Sequence, residues 1–163
     1  MSKHIFETPY FLGIDPGQSG AMALLDNSLY PVKVLDFSRT ECAEYLKTQA
    51  QYIQLGFIEL VHAMPNQGVV SMFRFGENFG WWQGLLEGCG ILYHYVPPQT
   101  WMKHFGLIKQ SPTDKPSLTL CRKAFPEVDL SLKKYNGRSD ALCIAAYAHD
   151  WYKSPKRTLK TEE

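Results

Sequence analysis

The 163 residues read as one α/β domain: three short strands, closely linked and therefore antiparallel, followed by helices alternating with two further strands. Three observations carry this. Apolar runs of strand length recur at 11–14, 20–25 and 32–37 with turn residues between them. From residue 38 onward, segments with apolar residues at helical spacing separate the strand-like runs 57–61 and 91–96. Hydrophobic residues make up 45% and charged residues 20%, ordinary soluble usage, in a chain long enough for one well-cored domain and too short for two.

In order, the turn Asp15-Pro-Gly-Gln-Ser joins the first two strands, and Tyr30-Pro31 breaks the chain before the third. Ser38 or Thr40 caps a helix running to about Tyr52, with Cys42, Ala43, Tyr45 and Leu46 on its apolar side. The strand 57–61 follows. A helix over 68–87 carries glycines at 76, 80 and 84, each costing about 1 kcal/mol relative to alanine. Such a ridge needs a close neighbour, either this chain's own sheet or a second copy. After the strand 91–96, Pro98 opens a short helix through Trp101 and His104. A basic, polar loop follows over 106–116. Another helix starts within 111–114 and ends near Phe125, and a last one spans about 137–151. Residues 1–152 form the domain, and 153–163 a mobile tail.

Three carboxylates sit in apolar surroundings: Asp15 in Leu-Gly-Ile-Asp-Pro-Gly, Glu59 in Phe-Ile-Glu-Leu-Val, and Asp140 in Arg-Ser-Asp-Ala-Leu-Cys-Ile. A carboxylate so placed costs several kcal/mol unless it is paired, protonated or bound to a cation. Strand alternation puts Asp15 on the face of Phe11 and Gly13, and Glu59 on the face of Phe57 and Val61. Helical spacing puts Asp140 on the face of Ile144, Tyr147 and Trp151, pointing inward near a helix N-terminus, where capping is the competing role. Oxygen ligands without Cys or His suit Mg2+, or Mn2+ as its substitute. Two such ions about 4 Å apart activate water and stabilise the departing oxygen in phosphodiester hydrolysis. The chemistry indicated is that of a metal-dependent nuclease.

These motifs, with the segment Phe-Ile-Glu59-Leu-Val-His-Ala-Met-Pro-Asn-Gln-Gly, the glycine-spaced helix and Pro98-Gln-Thr-Trp-Met-Lys103, resemble RuvC-type Holliday junction resolvases of the RNase H-like superfamily, the compact phage-type members most of all. The resemblance covers roughly residues 10–152. It implies an RNase H-like fold, a five-stranded mixed sheet with the first and fourth strands adjacent, and a Mg2+-dependent endodeoxyribonuclease with two ions per site. It also implies a homodimer that nicks symmetric strands of branched DNA, in the service of recombination and repair. Lys115 resembles the lysine placed near the scissile phosphate. Phe73 and Phe75, with Arg74 between them, are placed to wedge or stack at the junction, although core packing suits at least one phenylalanine. Members of the family carry a fourth carboxylate three or four residues before the last aspartate, and here Gly137 and Asn136 stand there. Asn136 can coordinate through its carbonyl oxygen but brings no charge.

Charge adds a footprint to this reading. Residues 1–100 sum to −4 and residues 101–163 to +5, which makes the C-terminal third the candidate polyanion-facing part, a solvated lysine face being the competing reading. Lys103, Lys109, Lys115, Lys133, Lys134 and Arg138 are the phosphate-binding candidates. Four separated cysteines with no Cys-x-x-Cys fit a reducing compartment, and no leader or membrane-length run is evident, so a cytoplasmic protein is expected. The turn after Asp15 also fits the phosphate hairpin of actin-like ATPases. Those proteins clamp a nucleotide between two such domains, so no nucleotide cofactor is expected. Two further alternatives keep the fold: a nuclease for RNA or RNA–DNA hybrids, and a catalytically weakened junction-binding protein.

Overall fold

The computed structural model describes residues 9–61, 68–108 and 115–154. Its sheet has five strands in the order β3-β2-β1-β4-β5. β1 (Tyr10–Asp15), β2 (Ala21–Leu25) and β3 (Pro31–Asp36) form the antiparallel meander, Phe11 opposite Leu25 and Met22 opposite Leu35. β4 (Ile53–Glu59) lies parallel to β1 on the other side, and β5 (Tyr93–Val96) parallel to β4. The mixed sheet with the first and fourth strands adjacent is therefore present. The fourth strand begins at Ile53 and ends at Glu59, not at 57 and 61. Glu59 is thus a strand end, and the apolar pair after it belongs to the following connection.

Alternation along β1 divides the core in two. Leu12, Ile14, Met22, Leu24 and Ile58 face one layer, closed by Cys42 and Leu46 of α1 (Arg39–Gln49) and by Trp82 and Leu86 of α2 (Val69–Gly88). Ser38 caps α1 through the Glu41 N–H. Phe11, Ala21, Ala23, Leu55 and Phe57 face the other layer, covered by α5 (Asn136–Lys153) and flanked by α3 (Pro98–His104) and α4 (Pro116–Ala124). Each fully buried Leu, Ile or Phe contributes about 2 kcal/mol of transfer free energy.

Gly13 explains how α5 comes so close. A Cβ at that position would lie 2.1 Å from the Ala141 carbonyl oxygen and 2.2 Å from the Ala145 nitrogen, so the helix backbone rests directly on β1. Ala141, Ala145 and Ala148 are small and completely buried for the same reason. Trp151, expected against the sheet, is instead half exposed at its edge, ringed by Phe57 and His94.

The glycines of α2 behave in the opposite way. At 76, 80 and 84 an added Cβ would meet nothing within 4 Å, so the ridge does not pack on this chain's described residues. The first half of α2 projects, with Val69 83% and Phe73 70% exposed. No described helix is long and apolar enough to cross a membrane. The segment 62–67, Lys109, the expected helix start at 111–114 and the tail from 155 lie outside the described residues.

Candidate active site

Asp15 and Glu59 are the last residues of the two central parallel strands, paired up to Ile14 and Ile58, so their carboxylates leave the sheet side by side at its carboxyl edge. The turn after β1 is tight: the Gly17 N–H donates to Asp15 Oδ1 at 3.0 Å and the Gly20 N–H to the Gly17 carbonyl at 2.9 Å. Gly20 is obligatory, since a Cβ there would sit 2.0 Å from the Asp15 carbonyl oxygen. Burial pushes the Asp15 carboxyl up to about 6, against the pull of the Gly17 N–H, with Asp140 adding repulsion and Lys115 opposing it. Glu59 goes up to about 7, chiefly by burial and then by the Asp15 charge.

The third carboxylate arrives with α5. Because the helix begins at Asn136, Asp140 stands in its second turn and cannot cap it. Asp140 is 6% exposed, and its side chain bonds to α4 instead. Ser117 donates to Oδ1 at 2.5 Å, and the Lys115 ammonium to Oδ2 at 3.0 Å. The helices approach over small side chains, Ser117 against Ser139 at 3.1 Å and, one turn on, Cys121 against Cys143 at 3.5 Å.

Trp101 completes the arrangement. Val96, the end of β5, pairs with Glu59, and α3 starts two residues later with Pro98 in its first turn. One turn into that helix the Trp101 indole N–H donates to Glu59 Oε1 at 3.0 Å in the interior. Neither Trp101 nor Ser117 is evident as a site residue from sequence. Trp101 lies in a quoted motif, but its partner is 42 positions away, and a serine in the first turn of a helix carries no signal of its own.

The other candidates divide. Arg138 is committed within the chain: its guanidinium bonds both oxygens of Asp36 at 2.7 and 2.8 Å, donates to the Asp129 carbonyl at 3.0 Å, and stacks 3.7 Å from the Tyr135 ring centre. Lys103 is exposed on α3, and Lys133 and Lys134 are exposed on the short turn Lys133–Tyr135 before α5. Phe73 and Arg74 are exposed on α2, while Phe75 stacks on Phe79 at 6.1 Å and Phe79 on Tyr95 at 5.7 Å. Asn136 opens α5 with its amide oxygen buried and unbonded. Gly137 presses on the β1–β2 turn, where a Cβ would lie 2.3 Å from the Ser19 carbonyl oxygen.

An all-oxygen donor set, two of whose members are pushed up by burial and mutual repulsion, suits a hard divalent cation. Among the described residues, no three His, Cys, Asp or Glu side chains are gathered closely enough to hold one as they stand. The Lys115 ammonium is the cation bonded to the trio through Asp140: burial works against its charge, and the attraction of Asp140, then Asp15 and Glu59, raises its pKa above the ordinary lysine value.

Comparison with known proteins follows the same lines. Over 88% of this chain and 94% of the other, the structure superposes on Thermus thermophilus RuvC in complex with a Holliday junction substrate, with a TM-score of 0.55 and 14% identity. The fold is that of RuvC. A second structure of Thermus RuvC matches over the same shares at a TM-score of 0.53 and 15% identity. The sheet order and the helix packed across it are thus RuvC's RNase H-like architecture. No family model matches the chain. In sequence, 95 residues, 57% of this chain, are 36% identical to the chloroplastic Holliday junction resolvase MOC1 of Chlamydomonas reinhardtii. The match spans 11% of that algal protein's length.

Proposed function

We propose that this chain is a Mg2+-dependent endonuclease that resolves four-way DNA junctions by paired symmetric nicks, acting as a homodimer. The observation that carries the reading is the convergence of Asp15, Glu59 and Asp140, with Lys115, at the carboxyl edge of the central strands of a RuvC fold. Its support in sequence is the 36% identity to a protein named as a Holliday junction resolvase, and in structure the likeness to a RuvC bound to a junction.

Asp15, Glu59 and Asp140 would hold the metal, which supplies water activation and stabilisation of the departing oxygen. Trp101 fixes one oxygen of Glu59 and Ser117 one oxygen of Asp140, so two ligands are oriented before any substrate arrives. Lys115 is half exposed and directs its charge toward the scissile phosphate. Lys103, Lys133 and Lys134, with Lys109, track the DNA backbone, whereas Arg138 ties α5 to β3 and serves the scaffold. Phe73 and Arg74 project from α2 where unstacked bases or a second copy can meet them, and the open glycine face of α2 supports a second copy as its neighbour.

The deciding experiment compares wild type with Asp15→Asn on a synthetic four-way junction in Mg2+. Binding persists in the variant while cleavage falls by orders of magnitude; equal cleavage rates would discard the assignment. Wild type that binds the junction without nicking it in Mn2+ would favour the weakened, binding reading suggested by Asn136. In that case Asn136→Asp should raise the rate strongly, because it restores the missing charge.

A further inference from the structure

Asp140 enters the site with both oxygens taken, by donors of different kinds. On Oδ1 the donor is Ser117, neutral, buried and fixed in the first turn of α4. On Oδ2 it is Lys115, a cation on a flexible stem, 54% exposed and standing just before that helix. The ammonium serves more than one partner, since Asp15 and Glu59 also favour its charged form. Its single positive charge lies against Asp140 Oδ2, so a metal ion bound to that oxygen would meet the ammonium at close range and repel it.

We infer that Lys115 is a placeholder cation: a divalent metal takes its place on Asp140 Oδ2, and the ammonium, released by that exchange, becomes available to the substrate phosphate. Ser117 donates to Asp140 Oδ1 throughout, so the carboxylate stays tied to α4 while its partner on Oδ2 changes. The exchange swaps a single positive charge for a double one beside three carboxylates, which favours the metal once it is present. The destination of the ammonium rests on the nuclease reading; the exchange does not.

The test is calorimetric titration of Mn2+ into DNA-free protein, wild type against Lys115→Met, which keeps the apolar stem and removes the charge. Lys115→Met binds Mn2+ at least tenfold more tightly; affinity equal to or weaker than wild type overturns the inference. A second measurement avoids any charge-removing variant. Lysines of wild type are 13C-dimethylated, a modification that keeps their charge, and the Lys115 resonance is identified by its loss in Lys115→Arg. It moves toward the position of a solvated lysine as Mg2+ saturates the protein, and a resonance unmoved at saturation overturns the exchange. Cleavage is assayed on the same preparations. Wild type that never cuts a junction would defeat the nuclease reading and leave the exchange standing, and equal Mn2+ affinities would do the reverse.

Discussion

Helices α5 and α2 are almost equally long and lie on opposite faces of one sheet, yet they meet their surroundings in contrary ways. α5 is buried along most of its length and rests backbone to backbone on β1 through Gly13. α2 is anchored by Asn78, Trp82 and Leu86 in its second half, while its first half stands out with apolar side chains and open glycines. A glycine in contact with its own chain and a glycine facing outward look alike in sequence. The first fixes the geometry of a site, and the second leaves room for a partner. On the proposed function, work in this fold divides between a helix that positions chemistry and one that positions another molecule.

The largest expected break in that contrast is chemical. Asp140→Asn should lower junction cleavage in Mg2+ by about a thousandfold, some 4 kcal/mol at the transition state, while Phe73→Ala leaves cleavage per bound junction within a few-fold and weakens binding or dimerisation. Single-turnover rates set against gel-shift affinities separate the two. Next in size is Gly13→Ala, whose methyl group has no space against the Ala141 and Ala145 backbone. It should cost about 3 kcal/mol or more of stability by chemical denaturation.

A middle-sized effect concerns the charges that α5 helps to bury. With their carboxyls pushed up to about 6 and about 7, Asp15 and Glu59 bind protons more readily in the folded chain than in the unfolded one. Their contribution to stability is full below about pH 4 and is lost as pH rises through 6 and 7, on the order of 6 kcal/mol in all. Melting in EDTA should show the fall between about pH 4 and 7, and Mg2+ should flatten it; a metal-free curve that rises across this window would contradict the burial of the pair. The smallest effect is Gly80→Ala, which should stabilise the isolated helix by about 1 kcal/mol and weaken self-association in sedimentation. Stronger association would place the dimer contact elsewhere.

These contrasts also mark what was legible in the sequence. Strand alternation around Gly-Ile-Asp15 put the aspartate on the layer that α5 covers, and helical spacing turned Asp140 inward, because local periodicity is written directly in the chain. Trp101 on Glu59 and Ser117 on Asp140 were not legible, since each bond joins elements that meet only when the sheet is assembled. Arg138 shows the converse: its positive charge counted toward a DNA footprint, but Asp36, 102 positions earlier, holds it in place. The end of the fourth strand was misjudged because the apolar pair after Glu59 looks like more strand; Leu60 still donates its N–H to the Val96 carbonyl, but β4 itself ends at Glu59.

The contact of Gly137 with Ser19 and Gly20 has a consequence for how this lineage could change. Every substitution at 137 adds at least a methyl group where the β1–β2 turn already is, so no single codon change there can recruit an acidic ligand without displacing the turn that carries Asp15. The neighbouring position 136 is open to such a change, since its amide oxygen is already inside and without a bond. Selection for a fourth acidic ligand in this chain, in nature or in a directed-evolution library, has its route through Asn136.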